Sequence, residues 1–265
     1  MTTTGRIVAF VAGIAFAAAP SLLAIHALRS QPAPAGGTAV AASQPVGGDF
    51  IRTYLMENPE VIRDAFYELE RRKAEAEQKE RVATITENKS VLFDSTRQAV
   101  LGNPQGDVTL VEFFDYNCGY CKRALGDMDR LIEGDSNLRV VLKEFPVLGQ
   151  GSVEAAQVAA AVNIMAPDQY GTFHEKLLMA KGRANGAKAI EVTKELGLDQ
   201  DELAKTLKNP EVAATIDETY ALAKTLGLTG TPSYVIGDEV VFGAVGYDEL
   251  KAKIDDMRAC GSTSC

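Results

Sequence analysis

The pair Cys118 and Cys121, separated by Gly119 and Tyr120, constrains the fold of this chain more than any other feature. It directly follows the apolar run 108–114, which predicts a buried strand, and it opens a stretch of helical character. A cysteine at a helix N-terminus faces unpaired backbone N–H groups and the positive end of the helix dipole, so the pKa of its thiol falls below the usual value of about 8.5. The second cysteine follows one turn later and can close a disulfide. The sequence therefore predicts a redox-active dithiol.

Length and charge exclude several classes of function. The 265 residues suffice for one globular domain of ordinary size with additions at its ends. The formal net charge of −9 repels phosphate backbones, so we expect no nucleic-acid partner. His26 and His174 are the only histidines, which rules out an imidazole-rich metal site, and we interpret both as incidental.

The beginning of the chain is typical of an export segment followed by a tether. Residues 7–25 are almost entirely apolar and contain small-residue triplets that suit a cleavage site, but about 19 apolar residues also approach the length that spans a bilayer. We therefore interpret residues 1–30 as a signal peptide or a membrane anchor. Residues 31–48, rich in Pro, Gly, Ala and Ser, predict a flexible linker. In either case the folded part is expected to face an oxidising compartment.

Residues 49–95 predict a helical arm. Asn58-Pro59-Glu60 supplies an N-cap, a proline at the first helical position and an early acid, and apolar residues then recur at helical spacing as far as Leu69. The continuation 70–81 is charged on every side and is expected to be solvated. The apolar stripe either packs on the chain's own catalytic domain or meets copies of itself in an oligomer, and the sequence leaves both open.

The chain from residue 100 to residue 258 predicts an α/β domain. Two strands that flank a helix form the start of a βαβ unit, a block of helices follows as an insertion, and a hairpin and a last helix complete the pattern. The predicted elements are the strands 108–114 and 139–145, the helical insertion at about 150–220, the hairpin 233–244, the helix 247–258 and a cysteine-containing tail at 259–265.

This pattern resembles the thioredoxin fold in its exported, DsbA-like form. The resemblance covers roughly residues 100–258 and rests on a CxxC after a strand together with Thr231-Pro232 before the late hairpin. It is closest to the ScsC-like (suppressor of copper sensitivity) branch, through the segments FFDYNCGYCK, KEFPVLG, TGTPSYVIGD and MENPEVI. The implied architecture is a thioredoxin fold with a helical insertion, preceded by an N-terminal α-helical arm.

The resemblance implies roles for the residues of the CxxC and for one acid. Cys118 is expected to be the exposed nucleophile and Cys121 the partly buried resolving thiol. Gly119 and Tyr120 are expected to contact the substrate. Glu112, in an otherwise apolar strand, matches a buried carboxylate that exchanges protons with the second cysteine. The alternative is that Glu112 faces solvent on an edge strand.

The resemblance also implies a substrate-binding role for Thr231 and Pro232. Pro232 is expected to be cis and to lie beside the CxxC, where the Thr231 backbone pairs with an extended substrate peptide. A cis proline offers no N–H and holds a turn, so the preceding residue can present its own backbone groups. The alternative is an ordinary trans Thr-Pro at the start of a strand.

The implied function is that of a periplasmic thiol–disulfide oxidoreductase that acts on protein cysteines and needs no cofactor. Gly119-Tyr120 and Thr231 resemble the disulfide isomerases, since the strong oxidases of the family carry a histidine in the dipeptide and a valine before the proline. We therefore expect an isomerase or reductase, kept reduced by a membrane partner similar to DsbD or ScsB. A DsbA-like oxidase, recharged by a DsbB-like membrane oxidant, is the alternative. ScsC-like proteins form trimers or dimers, so a homo-oligomer is expected.

A copper-binding protein is the alternative from another class. The ScsC-like family is linked to copper tolerance, and soft thiolates favour Cu(I). Cys260 and Cys265 depart from the family pattern and have three open interpretations. They pair with each other in a small loop, they relay electrons to the CxxC, or they hold Cu(I) together with its two cysteines.

Overall fold

The computed structural model describes residues 47–265, which contain parts of two compact units that divide after Glu57. The predicted signal peptide or anchor, residues 1–30, lies outside the described residues, as does nearly all of the predicted linker. The first unit carries the helix α1 (Gly48–Glu57). Among the described residues, no helix is long and apolar enough to cross a membrane.

The second unit contains all the other elements. In chain order they are α2 (Glu60–Glu87), α3 (Lys89–Phe93), β1 (Ala99–Gly102), β2 (Val108–Phe114), α4 (Gly119–Gly134), β3 (Leu138–Glu144), α5 (Gln150–Met165), α6 (Pro167–Met179), α7 (Gly186–Glu195), α8 (Gln200–Thr206), α9 (Pro210–Thr225), β4 (Ser233–Ile236), β5 (Glu239–Phe242) and α10 (Tyr247–Cys260).

The five strands form one mixed sheet in the order β1-β3-β2-β4-β5. β2 and β3 are parallel, and the other neighbouring pairs are antiparallel. Nearly all residues of the central strand β2 are buried, as expected for a continuous apolar run covered on both faces of the sheet. Parallel strands need a crossover, and α4 supplies it between β2 and β3. The carboxyl end of β2 therefore leads directly into the CxxC, and the predicted α/β class is confirmed.

The helices α5 to α9 form the insertion between β3 and β4. α5 contacts each of the other four helices, and its buried residues are mostly alanines, whose small side chains allow close helix–helix approach. Side chains of α5 and α6 share one buried cluster with β2, β3 and both cysteines of the CxxC. The predicted insertion is thus confirmed and belongs to the same core as the reactive sulfurs.

The helix α2 is exposed along most of its length. Ile85, near its C-terminal end, is its one buried residue and joins a second core cluster with Val111 of the sheet. The predicted apolar stripe is present but uncovered, since Ile62 and Phe66 are each 57 % exposed. The stripe therefore does not pack on the α/β domain, which was one of the two interpretations of this arm.

Candidate active site

The loop after β2 places Cys118 at the N-cap of α4. Its backbone is extended, with φ −79° and ψ 114°, as is usual for an N-cap. Its Sγ accepts a hydrogen bond from the backbone N–H of Cys121 at 3.3 Å, and its carbonyl oxygen accepts one from Lys122 N at 3.1 Å. The first cysteine of the motif therefore lies at the N-terminus of a helix, where the sequence pattern predicts it.

Cys118 and Cys121 are both reduced, and their acidities differ strongly. The hydrogen bond from the Cys121 thiol, aided by backbone N–H groups of α4, lowers the pKa of Cys118 to about 5. The same hydrogen bond, together with burial and the nearby charge of Glu112, raises the pKa of Cys121. At neutral pH the first sulfur is a thiolate and the second a thiol. Thiol–disulfide exchange at a CxxC uses such a pair, a thiolate that attacks the substrate and a thiol that later resolves the mixed disulfide.

The Thr231–Pro232 peptide bond is cis, and its loop lies over the CxxC. In its thiol form, Cys118 donates a hydrogen bond to the Thr231 carbonyl oxygen at 3.1 Å. The Thr231 N–H donates to no other described residue, so an extended peptide can pair with the backbone at this point. The same loop corrects one expectation. Cys118 is only 5 % exposed and its sulfur lies against that carbonyl, whereas Gly119 and Tyr120 are the exposed residues of the motif, Tyr120 at 60 %.

Glu112 is buried in the centre of the sheet and not on an edge. It lies in β2 between Leu142 of β3 and Tyr234 of β4, and it is 5 % exposed. Burial raises its pKa to about 8, and this effect outweighs the hydrogen bond that the Tyr234 hydroxyl donates. Its charge in turn raises the pKa of Cys121, so the two groups interact. A carboxyl group that titrates near pH 8 can take up or release a proton under ordinary conditions.

Two residues that the sequence analysis does not single out, Asp115 and Asn117, hold the active-site loop. Buried Asp115 accepts hydrogen bonds from Asn117 N at 2.7 Å, Leu148 N at 2.9 Å and Ser152 Oγ at 2.7 Å. Asn117 donates to the Ala184 carbonyl at 2.9 Å and accepts from the Ala184 N–H at 2.8 Å. The loop that carries the first cysteine is thereby tied to the helical insertion. The sequence signal for Asp115 and Asn117 is their position, since both are short polar residues between an apolar strand and a CxxC.

A second buried carboxyl group, Glu144, ends β3 beside a cluster of aromatic rings. It accepts hydrogen bonds from Tyr170 Oη at 2.7 Å and Tyr116 Oη at 3.3 Å, and burial raises its pKa to about 8. His174 Nδ1 lies 3.4 Å from Tyr116 Oη, and burial lowers the pKa of this imidazole to about 3. His174 is therefore a neutral member of a buried polar network, rather than an incidental side chain.

Cys260 and Cys265 form a disulfide with each other, which was one of their three interpretations. Cys260 is the last residue of α10, and Arg258 of the same helix pairs with Asp107 just before β2 and with Asp135 just after α4. The CxxC follows the other end of β2, roughly 20 Å away, so the two sulfur pairs are not in contact with each other. Among the described residues, no group of three or more His, Cys, Asp or Glu side chains could hold a metal ion, so the four-cysteine copper site is not assembled.

Comparison with known proteins agrees with this geometry. Residues 109–255 match the family described as DSBA-like thioredoxin domain, and residues 48–76 match the Copper resistance protein ScsC N-terminal domain. A solved thioredoxin-like oxidoreductase from Silicibacter pomeroyi DSS-3 is 42 % identical, with a TM-score of 0.63, and the match covers 65 % of this chain and 99 % of that one. Proteus mirabilis ScsC in a compact conformation is 27 % identical, with a TM-score of 0.62 and coverage of 80 % and 96 %.

Two curated relatives are matched over different shares of their length. Disulfide bond formation protein D of Bacillus subtilis is 29 % identical over 173 residues, which are 60 % of this chain and 76 % of that protein. Na(+)/H(+) antiporter NhaA 1 of Salinispora arenicola is 28 % identical over 166 residues, and the chain spans only about a quarter of its length. The DSBA-like match covers more than half of this chain and includes the CxxC, Glu112 and the cis proline. The chain therefore belongs to the family of DSBA-like thioredoxin domains and carries an N-terminal region similar to that of ScsC.

Proposed function

We propose that this protein is a thiol–disulfide oxidoreductase that acts on cysteines of other proteins in the periplasm. The proposal rests on one arrangement, a cysteine thiolate next to a backbone N–H group that has no hydrogen-bond partner among the described residues. The pKa of Cys118 is lowered to about 5, and the Thr231 N–H next to it has no partner among the described residues. A purely structural disulfide needs neither feature. The location is supported by the apolar stretch 7–25, which suits export.

The proposed reaction begins with the Cys118 thiolate, which attacks one sulfur of a substrate disulfide. A mixed disulfide forms, and the other substrate cysteine leaves as a thiolate. Cys121 then loses its proton and attacks the Cys118 sulfur, which releases the second substrate thiolate and leaves the CxxC oxidised. We assign the proton of Cys121 to the ionised form of Glu112, a buried group that interacts with Cys121 and whose pKa is about 8. The reverse sequence oxidises a substrate dithiol.

Four further residues are assigned to substrate binding in this proposal. Thr231 offers its N–H and C=O to a peptide in strand-like pairing, and cis Pro232 holds the turn that presents them. Gly119 adds no side chain at the start of α4, so a peptide backbone can approach the sulfur closely. Tyr120 supplies an exposed ring for apolar contact beside it.

We assign the working state to the reduced form, as in an isomerase or reductase. The Gly119-Tyr120 dipeptide carries no cation that would stabilise the thiolate further. An isomerase also gains from several sites close to one misfolded substrate, and α1 and α2 each expose apolar side chains that are suited to self-association. These side chains are Phe50, Tyr54, Met56, Ile62, Phe66 and Leu69. We therefore expect a dimer or trimer, and a membrane partner that returns electrons to the dithiol.

An oxidase is the second candidate, and one observation favours it. A pKa of about 5 for Cys118 means that the reduced form is stabilised at neutral pH, and a stabilised reduced form makes the corresponding disulfide a stronger oxidant. The membrane partner would then withdraw electrons instead of supplying them.

Refolding of scrambled ribonuclease by the reduced protein tests the proposal. The wild type is compared with Cys118→Ser and with a variant that combines Ile62→Ser and Phe66→Ser, two exposed apolar positions of α2. A variant with Lys73→Ser and Lys79→Ser on the same helix is the matched control, and the molecular mass of each protein is measured.

Isomerase activity that requires Cys118 and is lost together with the oligomer in the apolar variant supports the multimeric isomerase. A monomer that only oxidises reduced ribonuclease supports the oxidase. Tight Cu(I) binding by the reduced protein, with no activity in either assay, would contradict the oxidoreductase proposal in favour of copper binding.

A further inference from the structure

Five segments surround the CxxC and form a surface that we call the mouth. They are residues 117–123, 145–151, 180–185, 229–232 and 243–246. Hydrogen bonds join each segment to its neighbours and so connect the whole mouth to the reactive sulfur. These bonds run from Arg183 Nη2 to the Leu148 carbonyl at 2.6 Å, from Ala184 N to Asn117 Oδ1 at 2.8 Å, from Cys118 Sγ to the Thr231 carbonyl at 3.1 Å and from Gly243 N to the Pro232 carbonyl at 2.9 Å.

Every charged side chain of the mouth is basic. Its five segments contain Lys122, Arg123, Lys181 and Arg183 and no aspartate or glutamate, although the chain as a whole has a formal net charge of −9. None of these four residues forms an ion pair with a carboxylate of the described part of the chain. The mouth therefore carries a local positive charge on a protein whose net charge is negative, and no carboxylate of the described residues forms an ion pair with its four cations.

Asp115, two positions before the first segment, is buried and its carboxylate accepts the hydrogen bonds of the active-site loop, whereas Asp248 on α10 is exposed two positions after the last segment. Within α4 and α5 the carboxylates nearest to the mouth are engaged by other groups. Asp127 of α4 lies 4.0 Å from Arg130, and Glu154 of α5 accepts a hydrogen bond from the Gly186 N–H at 3.3 Å. Neither belongs to the segments that border the sulfur. An incoming carboxylate would therefore not have to displace an existing ion pair.

Two of the four cations hold the mouth together, and the other two face outwards. Lys122 donates to the Ala180 carbonyl at 3.2 Å, and Arg183 donates to the Leu148 carbonyl at 2.6 Å. The exposed guanidinium of Arg123 lies 4.2 Å from the centre of the Tyr120 ring. A stacked guanidinium keeps its N–H edge available, and that edge can bind a carboxylate through two hydrogen bonds. Lys181 is also exposed, in the segment that follows α6.

Apolar side chains alternate with these cations around the mouth. Tyr120, Val147, Leu148 and Val245 all expose a substantial part of their side chains to solvent. A surface with both properties is complementary to a peptide that carries both acidic and apolar residues, and it repels a basic one.

We infer that the mouth selects extended cysteine-containing segments in which acidic residues lie next to apolar ones. This inference rests on the proposed function and specifies its substrate class. The substrate backbone pairs with Thr231 next to the reactive sulfur, an apolar neighbour of the cysteine covers Tyr120, and a carboxylate a few residues away meets Arg123 or Lys181. A segment with lysines in place of the acids meets like charge at the same positions.

Three disulfide-bonded peptides of equal length test the inference. They differ only in the residues that flank their cysteines, which are two glutamates, two glutamines or two lysines. Each is mixed with the reduced full-length protein, and the reaction converts one peptide disulfide to two thiols while the CxxC becomes a disulfide. We expect the glutamate peptide to react about tenfold faster than the lysine peptide at low salt. The ratio should fall towards one at about 1 M salt, where the Debye length is only about 3 Å.

Variants test whether the preference arises at the mouth. Combined Arg123→Gln and Lys181→Gln should reduce the ratio between glutamate and lysine peptides at least about threefold. Combined Lys194→Gln and Lys208→Gln, at two exposed lysines outside the mouth, should leave it unchanged. Each rate is divided by that of the same variant with bis(2-hydroxyethyl) disulfide, an uncharged reagent. Equal rates for the three peptides overturn the inference and leave the oxidoreductase intact. No reaction with any peptide or with the reagent overturns the proposed function itself.

Discussion

The hydrogen bond between the two sulfurs of the CxxC is the contact whose removal tests the chemistry of the site most directly. Cys121→Ala removes the donor to the Cys118 thiolate, whereas Cys121→Ser keeps a hydroxyl donor at the same place. In both variants the backbone of α4 remains, including the N–H of residue 121 at 3.3 Å from the sulfur. The pair of variants therefore separates the sulfur–sulfur bond from the effect of the helix N-terminus.

The expected magnitude follows from the strength of such bonds. A hydrogen bond to a charged group contributes about 1.5–3 kcal/mol, and a tenfold change in an acid constant corresponds to about 1.4 kcal/mol. The pKa of Cys118 is about 5 in the wild type. We expect it to rise to between about 6 and 7 in Cys121→Ala and to stay near its wild-type value in Cys121→Ser.

The assay is the rate at which iodoacetamide alkylates the reduced protein as a function of pH, because only the thiolate reacts. The Cys260–Cys265 pair is oxidised and contributes no signal. A wild-type midpoint near 8.5 would refute the claim that α4 and Cys121 stabilise the thiolate. Equal midpoints for the wild type and Cys121→Ala would refute the assignment of Cys121 as the donor.

The same pKa makes the stability of the reduced form depend on pH. The pKa of Cys118 is about 5 in the folded protein and about 8.5 in an unfolded chain, so the reduced form gains stability as pH rises through this window. The gain is lost as pH falls through 5. The oxidised form lacks the thiolate, so denaturation of both forms at several pH values should show the reduced form gaining at most about 1.4 kcal/mol per pH unit relative to the oxidised one.

Two further predictions concern buried polar groups. Burial raises the pKa of Glu112 to about 8, so this acid costs folding free energy above pH 4.5. Glu112→Gln should therefore be about 2–4 kcal/mol more stable than the wild type in urea denaturation at pH 8 and equally stable at pH 4, while resolving mixed disulfides more slowly in rapid-quench kinetics. Asn117→Ala breaks both bonds to Ala184 and should cost about 2–3 kcal/mol in the same denaturation assay. Asn103→Ala, which removes two bonds in an exposed loop, should cost less than about 1 kcal/mol, and equal costs would contradict the special role of Asn117.

The elements whose sequence signals lie within a short stretch of chain were predictable. The strand predicted at 139–145 is observed at Leu138–Glu144, and the hairpin around Gly237 and the final helix begin where their turn residues place them. The cysteine pair at the start of α4 was predictable for the same reason, because an apolar strand and an N-cap adjoin it in sequence. Each of these features depends on neighbours within one or two turns of chain.

The features that the sequence did not reveal depend on distant partners. β1 (Ala99–Gly102) has only four residues and shows no alternation, and it becomes a strand because β3 offers an edge for antiparallel pairing. The sulfur of Cys118 lies against the carbonyl of Thr231, which is 113 residues away along the chain. The role of Asp115 depends on the folded structure, because two of its hydrogen-bond donors come from α5 and from the loop before α5.

The tail disulfide also bears on how the chain reaches its correct cysteine pairing. Four cysteines allow three pairings, and each wrong one occupies the reactive thiol. Cys260 and Cys265 are separated by five residues, whereas Cys118 lies 142 positions before Cys260. Loop-closure entropy favours the short pairing over the long one by about 3 kcal/mol. In the unfolded chain, Cys260 and Cys265 therefore pair with each other more readily than either pairs with a cysteine of the CxxC. The tail disulfide can thus be in place before folding assembles the active site around Cys118 and Cys121.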